Sequence, residues 1–280
     1  MALSIPLVWG VMMAGMQSSI EAQRLAMDAN VLDRGDWGFH ATHDPLTRFL
    51  RDRRLLFGLS KLRQRGVLDP ANQSALVVCA GVGGEGILLR RYGFQDVTIS
   101  DLSGEALNMS RQLDPTLKTA QANAENMVEI PDASYDLVVV QDGLHHLPRP
   151  VLGFTEMLRV ARRAVIVIEP AESLVGTLIG TEWEEHGEAV NYVFRWSGST
   201  LKQATLSYLL RSGATVLPYR LWDHNVAVSK MAKRFPKHWR LPVAKGIYRV
   251  LTPVNGLGNM MVGVVILGNA IGGPRKNSDG

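Results

Sequence analysis

Cysteine is nearly absent: the chain of 280 residues has one, Cys79. A single thiol closes no intrachain disulfide, and no Cys/His spacing matches a zinc site. The seven histidines are scattered apart from the adjacent pair His145 and His146, so no metal is expected. The lack of a disulfide framework fits a reducing compartment, and a cytoplasmic location is expected. Excess charge of one sign is also scarce. Thirty Lys and Arg stand against 26 Asp and Glu, a net of +4, well short of a nucleic-acid coat. No RNA-binding module precedes or follows the central region, and no nucleic-acid partner is expected. Long apolar runs are missing too. The opening "MALSIPLVWGVMMAGM" is shorter than the roughly 20 residues that a membrane-spanning helix needs. It has no basic n-region and no clear cleavage site. It reads as a helix that packs on the domain or covers a ligand, without stable membrane insertion. There is no internal repeat and no low-complexity run.

Apolar side chains are plentiful. Hydrophobic residues make up 46% and charged residues 20%, as in a globular protein with a large core. Three zones follow one another. Residues 1–72 read as helical. In "DPLTRFLRDRRLLFGLSKLRQRG" the apolar positions Leu46, Phe49, Leu50, Leu55, Leu56, Leu59 and Leu62 recur near helical spacing. Asp44 is placed to cap that helix, Pro45 to open it and Gly66 to stop it. Residues 75–170 alternate short apolar runs ("ALVVCA", "VTISD", "YDLVVVQD", "AVIVIEP") with helical stretches. That alternation predicts a parallel sheet covered on both faces, wound right-handed in each direction. Cys79 falls inside the first of these strands, which would remove it as a nucleophile. The last zone offers an amphipathic helix in "STLKQATLSYLLRSG" and two strands in "TVLPY" and "NMMVGVVILGN". Between those strands runs a basic segment, residues 228–256, with Lys230, Lys233, Arg234, Lys237, Arg240, Lys245 and Arg249. It reads first as a solvated helix face and second as a patch for an acidic molecule or anionic surface. Residues 171–197 read as an irregular, aromatic insertion over the substrate.

The stretch "ALVVCAGVGGEG", residues 75–86, is a strand running into a glycine turn of the form G-x-G-x-x-G. Backbone N–H groups at a helix start attract anions, and Gly81, Gly83 and Gly86 would let a ligand approach. Asp101, at the end of the second strand, is placed to accept from two ribose hydroxyls. These features fit a nicotinamide dehydrogenase and a nucleoside-dependent transferase equally. Glu85 inside the turn disfavours a pyrophosphate.

Downstream residues separate the two. "AQANAENMVEIPDASYDLVVVQDGLHHLPRP", the strand "VIVIEP" and the late strands together resemble the class I S-adenosylmethionine-dependent methyltransferases, in their small-molecule, type 11-like branch. The resemblance implies an α/β, doubly wound, Rossmann-like seven-stranded sheet of order 3-2-1-4-5-7-6. Its last strand is antiparallel. The resemblance covers residues 75–170 well, the tail loosely and the first 70 residues hardly at all; residues 1–72 are expected as an N-terminal helical lid on a methyltransferase domain at 73–272. It implies S-adenosyl-L-methionine as cofactor, held by Gly81, Gly83, Gly86, Asp101, Leu102, Asn123, Ala124 and Gln141. The departures are Cys79 where an acid is common, Asn123 for aspartate, Glu85 for a small residue, and "ARRA" for the usual K-P-G-G turn. No N-P-P-Y-type strand end, as DNA and glutamine methyltransferases use, is present.

For the chemistry, a hydroxyl or carbon acceptor must lose a proton. His145, His146 and Glu169 are the candidates, each weighed against a purely structural role; Asp142 and Gln141 end the fourth strand. Asp136 reads as structural. Trp37, His40 and His43 belong to the lid, and Trp183, His186, Tyr192, Phe194 and Trp196 are weighed evenly between pocket and core. Arg195 and Arg220 would suit an anionic group, with the surface as the default. The expected acceptor is a small molecule, a hydroxyl of a specialised metabolite ahead of an amine or carbon. A dehydrogenase and a non-catalytic cofactor-binding protein stay open as alternatives.

Overall fold

Buried apolar runs set the architecture. The structure, a computed structural model, describes residues 5–33, 37–186, 189–210 and 213–268. Its strands are β1 (Ser74–Val78), β2 (Asp96–Asp101), β3 (Lys118–Gln121), β4 (Tyr135–Gln141), β5 (Ala161–Pro170), β6 (Trp183–His186), β7 (Ala189–Tyr192), β8 (Thr215–Leu221) and β9 (Met260–Ile266). Its α-helices are α1 (Ile5–Asp33), α2 (Pro45–Gln64), α3 (Gly84–Tyr92), α4 (Gly104–Leu113), α5 (Pro150–Val160), α6 (Leu174–Ile179), α7 (Gly198–Leu209), α8 (Asn225–Ala232) and α9 (Lys237–Leu251).

Seven strands form one sheet in the order β3-β2-β1-β4-β5-β9-β8. Counted by sheet strand alone, this is the expected order 3-2-1-4-5-7-6. β1 to β5 pair in parallel, and β9 is antiparallel to both its neighbours, β5 and β8. Alternation along β1 sends Ala75 and Val77 to one face, with Leu55, Leu59 and Leu62 of α2 and Ile87 and Leu89 of α3. Leu76 and Val78 go to the other, with Phe154, Met157 and Leu158 of α5 and Leu201 of α7. Both faces are buried, so the strands read as unbroken apolar runs. β3, Lys-Thr-Ala-Gln, is the exception: it is a partly exposed edge strand whose composition does not announce it.

The helix signals act as local chemistry requires. Asp44 Oδ2 accepts from the Thr47 amide at 2.8 Å, Pro45 follows it, and Gly66 takes the left-handed conformation (φ +68°) just after α2. The insertion is more regular than its sequence suggests: it holds α6 and the separate β6–β7 hairpin. In the basic segment, Val228, Ala232, Ala244 and Tyr248 of α8 and α9 pack on Leu46 and Leu50 of α2. Lys230, Lys233, Arg234, Lys237, Lys245 and Arg249 are exposed. Among the described residues, no helix is long and apolar enough to cross a membrane. The first four residues, and residues 269–272 of the expected domain, lie outside the described residues.

Candidate active site

The strand ends build the site, because parallel strands bring several loops to one edge. β1 ends at Val78, so Cys79 lies beyond the strand, a correction to its expected place inside it. It adopts φ +51°, a left-handed backbone uncommon for a side chain of its kind. Gly143 makes this possible: a Cβ there would stand 2.5 Å from Cys79 Cβ. Burial, then the charges of Asp101, Glu169 and Glu125, pushes the Cys79 thiol well up. The residue is a poor nucleophile for this reason, rather than through confinement in a strand.

The three turn glycines divide their work. Gly81 (φ +50°) lines the cavity, and its amide donates to Asp101 Oδ2 at 2.8 Å. Gly83 and Gly86 face away from it. A Cβ on Gly86 would lie 2.6 Å from Ile99 Cγ2 and 3.1 Å from Leu117, so this glycine lets α3 settle onto β2. Gly83 and Gly86, expected at the cofactor, do not line this cavity, and a Cβ on either would meet Ile99 and Leu117 in the packing against β2.

The cavity has a volume of about 420 Å³, within the range of small-molecule sites. Residues 79–82, Asp101, Leu102, Ala122, Asn123, Ala124, Gln141 and Asp142 form its floor and sides. Helix α1 covers it with Ile20, Gln23, Met27 and Asn30, and β7 adds Ala189 and Asn191. The cover is fastened by hydrogen bonds. Gln23 Nε2 donates to the His146 carbonyl (2.5 Å), Asn191 Nδ2 to the His145 carbonyl (3.2 Å), and Ser103 Oγ to Asp28 Oδ1 (2.5 Å). Trp37 and His40 also line the cavity, and His43 does not.

Asp101 ends β2 with its carboxylate oriented by the amides of Gly81 and Ser103 (2.8 and 2.9 Å). Burial raises its proton affinity, and amide donors from Ser103, Gly81 and Leu102 oppose that rise. Asn123 Oδ1 accepts from the Glu125 amide at 2.9 Å, which shapes the loop after β3. Gln141 donates through Nε2 to Glu85 Oε1 at 2.7 Å, and its buried Oε1 has no hydrogen-bond partner among the described residues. Glu85 is therefore a wall residue of the cavity, not an outward-facing turn residue. Burial, with the charge of Asp142, pushes it up to about 7 against the pull of its own amide, Arg54 and Arg51. Arg54, buried on α2, donates to both carboxylate oxygens of Asp142 (3.0 and 2.5 Å) and pairs with Asp223 at 3.0 Å. Nothing in the sequence distinguished Arg54 from the other arginines of α2. Glu85 was visible as a departure from pattern but not as a site residue.

The catalytic candidates are near one another but not equivalent. Glu169 is fully buried and does not line the cavity. Its oxygens accept from the amides of Gly143, Leu144 and His145 (2.9, 2.8 and 3.3 Å) and approach His145 Nδ1 at 2.6 Å. An unpaired carboxylate would be untenable there, so the loop after β4 is wrapped around it. Burial works against charge on His145, but the hydrogen bond and charge of Glu169 outweigh it, and the ring's proton affinity rises. His146, beside it at 4.1 Å between ring centroids, lines the cavity. Glu184 of β6, absent from the sequence-derived set, lies within 3.6 Å of His145 and 3.4 Å of His146.

The remaining candidates are structural or peripheral. Asp136 accepts from the Ser74 amide and pairs with Arg162, fastening β1 to β4 at the opposite edge. Trp196 is wholly buried against Phe154 and Phe194, in the core. Tyr192 and Phe194 line a smaller cleft of about 230 Å³ that shares Gln23 and Asn191 with the main cavity. Trp183 meets Tyr192 edge-on and is largely exposed. The side chain of His186 lies outside the described residues. Arg195 bonds the carbonyls of Gly176 and Thr181, and Arg220 those of Glu172 and Gly256; both tie loops together away from the cavity.

Residues 76–168 match the family model described as a methyltransferase domain. The fold is similar to a chain in the complex of the Haloferax volcanii Trm112 methyltransferase activator with a methyltransferase: 17% identity, 86% of this chain and 96% of that one, TM-score 0.56. It is similar to magnesium protoporphyrin IX methyltransferase from Synechocystis PCC 6803, solved with bound S-adenosylhomocysteine: 12% identity, 88% and 98% coverage, TM-score 0.54. An S-adenosylmethionine-dependent methyltransferase from Thermotoga maritima aligns with 14% identity, 88% and 99% coverage, and TM-score 0.53. No curated protein sequence matches the chain.

Proposed function

We propose that this chain is a class I S-adenosylmethionine-dependent methyltransferase, a reading supported by the methyltransferase-domain match over residues 76–168 and by the shared fold, and that it methylates a small-molecule acceptor, namely a hydroxyl oxygen of a specialised metabolite. The observation that carries the acceptor class is the cover. α1 and β7 contribute residues over the strand ends, and a cavity of about 420 Å³ roofed in this way favours a small acceptor over a polymer. A cytoplasmic setting belongs to the same reading.

The residues fit the cofactor. Asp101 would hold the ribose hydroxyls, Leu102, Asn123 and Ala124 the adenine, and the Gly81 turn the amino-acid end. The unpartnered Gln141 Oε1 offers a buried acceptor for an ammonium or amide donor. When bound, the cofactor supplies a methyl group already activated on a sulfonium. The protein's own contribution is to exclude water beneath α1, to hold the acceptor in line, and to remove the hydroxyl proton. Of the three catalytic candidates, His146 lines the cavity, so it is the group that meets the acceptor. Glu169 and His145 stand behind it and fix the loop.

Calorimetry with S-adenosylhomocysteine tests the site. Wild type binds, and Asp101→Asn and Asp101→Ala lose at least tenfold in affinity; unchanged affinity in both variants would sink the assignment. Radiolabelled methyl transfer into cell extract tests the acceptor. Label in the low-mass fraction supports the reading, and label confined to precipitated macromolecules overturns it.

A further inference from the structure

Beside the cavity, three side chains turn acceptor atoms toward one point. His145 Nε2 lies 3.6 Å and His146 Nδ1 3.4 Å from Glu184 Oε2, and one ligand atom from each of the three lies within 4.8 Å of the others. Two donors bound at about 2.1 Å to a tetrahedral cation stand about 3.4 Å apart, so the two His–Glu184 separations are compatible with ligands sharing one ion. The set is also prepared from behind. Glu169 Oε2 lies 2.6 Å from His145 Nδ1, so Nδ1 is turned to Glu169 and Nε2, the nitrogen that faces Glu184, is the ring's ligating atom. Glu169 is itself fixed by three backbone amides.

We propose that His145, His146 and Glu184 form a divalent metal site, with Glu169 as the positioning residue that orients His145. Two imidazoles and one carboxylate suit a first-row ion such as Zn²⁺ or Mn²⁺ better than Mg²⁺ or Ca²⁺, which take oxygen-rich sets. Three protein ligands leave a coordination position open, and His146 is the ligand that lines the cavity. The class of ligand for that position is an oxygen donor of the acceptor, a hydroxyl above all; this part rests on the methyltransferase reading. On this view His146 holds an ion near the acceptor oxygen instead of taking the proton itself. The sequence hid the site because its third ligand lies on the β6–β7 hairpin, 38 residues beyond His146 in the chain.

Tag-free, chelator-treated protein is titrated with Zn²⁺ and, separately, Mn²⁺, with Mg²⁺ as control, and metal content is measured after dialysis. One equivalent of Zn²⁺ per chain is expected. His146→Ala and Glu184→Ala should each weaken it at least about tenfold, and Glu169→Gln by about tenfold or more through the orienting bond. Cobalt substitution should give visible absorption bands that the same variants lose. His146 and Glu184 are partly exposed, so these variants keep the fold even if a change at buried His145 does not. The inference is overturned if no stoichiometric zinc binds, or if affinity is the same in His146→Ala and Glu184→Ala as in wild type. S-adenosylhomocysteine binding on the same samples reports on the cavity separately: its retention without bound zinc removes the metal site and leaves the methyltransferase reading standing.

Discussion

Gln141 Nε2 donates to Glu85 Oε1 at 2.7 Å, joining the end of β4 to the first turn of α3 across the cavity wall. Glu85 stands where the methyltransferase pattern that the glycine turn resembles usually has a small residue, and burial there pushes its carboxyl up to about 7. The folded chain thus keeps a proton that the unfolded chain, with an ordinary value of 4.5, releases on the way to neutral pH. The stability contributed by that proton is full below about pH 4.5 and is lost as pH rises toward 7. Glu85→Gln removes the dependence. Its melting temperature relative to wild type should therefore climb between pH 5 and pH 8, as read by scanning calorimetry. An equal difference at both pH values would refute the assignment.

Arg54 anchors α2 to the end of β4. Its guanidinium spans Asp142 and Asp223, and Asp223 is mostly buried. Arg54→Ala takes that partner from both acids, at a cost of about 1–3 kcal/mol, because Asp142 is partly exposed and Asp223 keeps Arg53. Denaturant melts should show this loss, together with weaker S-adenosylhomocysteine binding, since Asp142 adjoins Gln141 and Gly143 in the wall. A loss below about 1 kcal/mol, typical of a surface pair, would show that the contact is solvated.

Gly86 and Asp101 should fail in different ways. Gly86→Ala drives a Cβ against Ile99 Cγ2 and Leu117, an overpacking cost of about 1–3 kcal/mol. Cofactor affinity measured well below the melting temperature should change little, because Gly86 does not line the cavity. Asp101→Asn should show the converse, with lost affinity and a small change in melting temperature. If Gly86→Ala abolished binding while leaving stability intact, the separation of packing and binding glycines would be wrong.

Cys79 lines the cavity with its thiol pushed well up by burial and neighbouring carboxylates. Alkylation by iodoacetamide at pH 7.5 should be much slower than for a free thiol, because little thiolate is present. S-adenosylhomocysteine should slow it further by filling the cavity. Mass spectrometry of the labelled chain reads both effects, and rapid labelling in the presence of ligand would contradict them.

Much of this was legible in local sequence, because local sequence carries two signals that need no tertiary context. Apolar runs such as "LVVV" and "AVIVI" can be buried only on both sides, which dictates a covered parallel sheet. Capping chemistry at Asp44, Pro45 and Gly66 operates within a few residues. β3 escaped because an edge strand needs no apolar face, and the β6–β7 hairpin escaped because its four-residue strands mix charged and aromatic residues.

By itself, then, the sequence determined the succession of apolar strands, the glycine turn and the acid at Asp101, all of which are written in contiguous residues. Tertiary structure alone decided which glycine meets the cavity, that Glu85 turns inward, that Glu169 serves His145 from behind, and that Glu184 arrives opposite the two histidines. Each of these depends on where separate loops stop in space. Hydrogen bonds and ion pairs act over about 3 Å, while the residues that make them here are separated by 24 positions for His145 and Glu169 and 88 for Arg54 and Asp142.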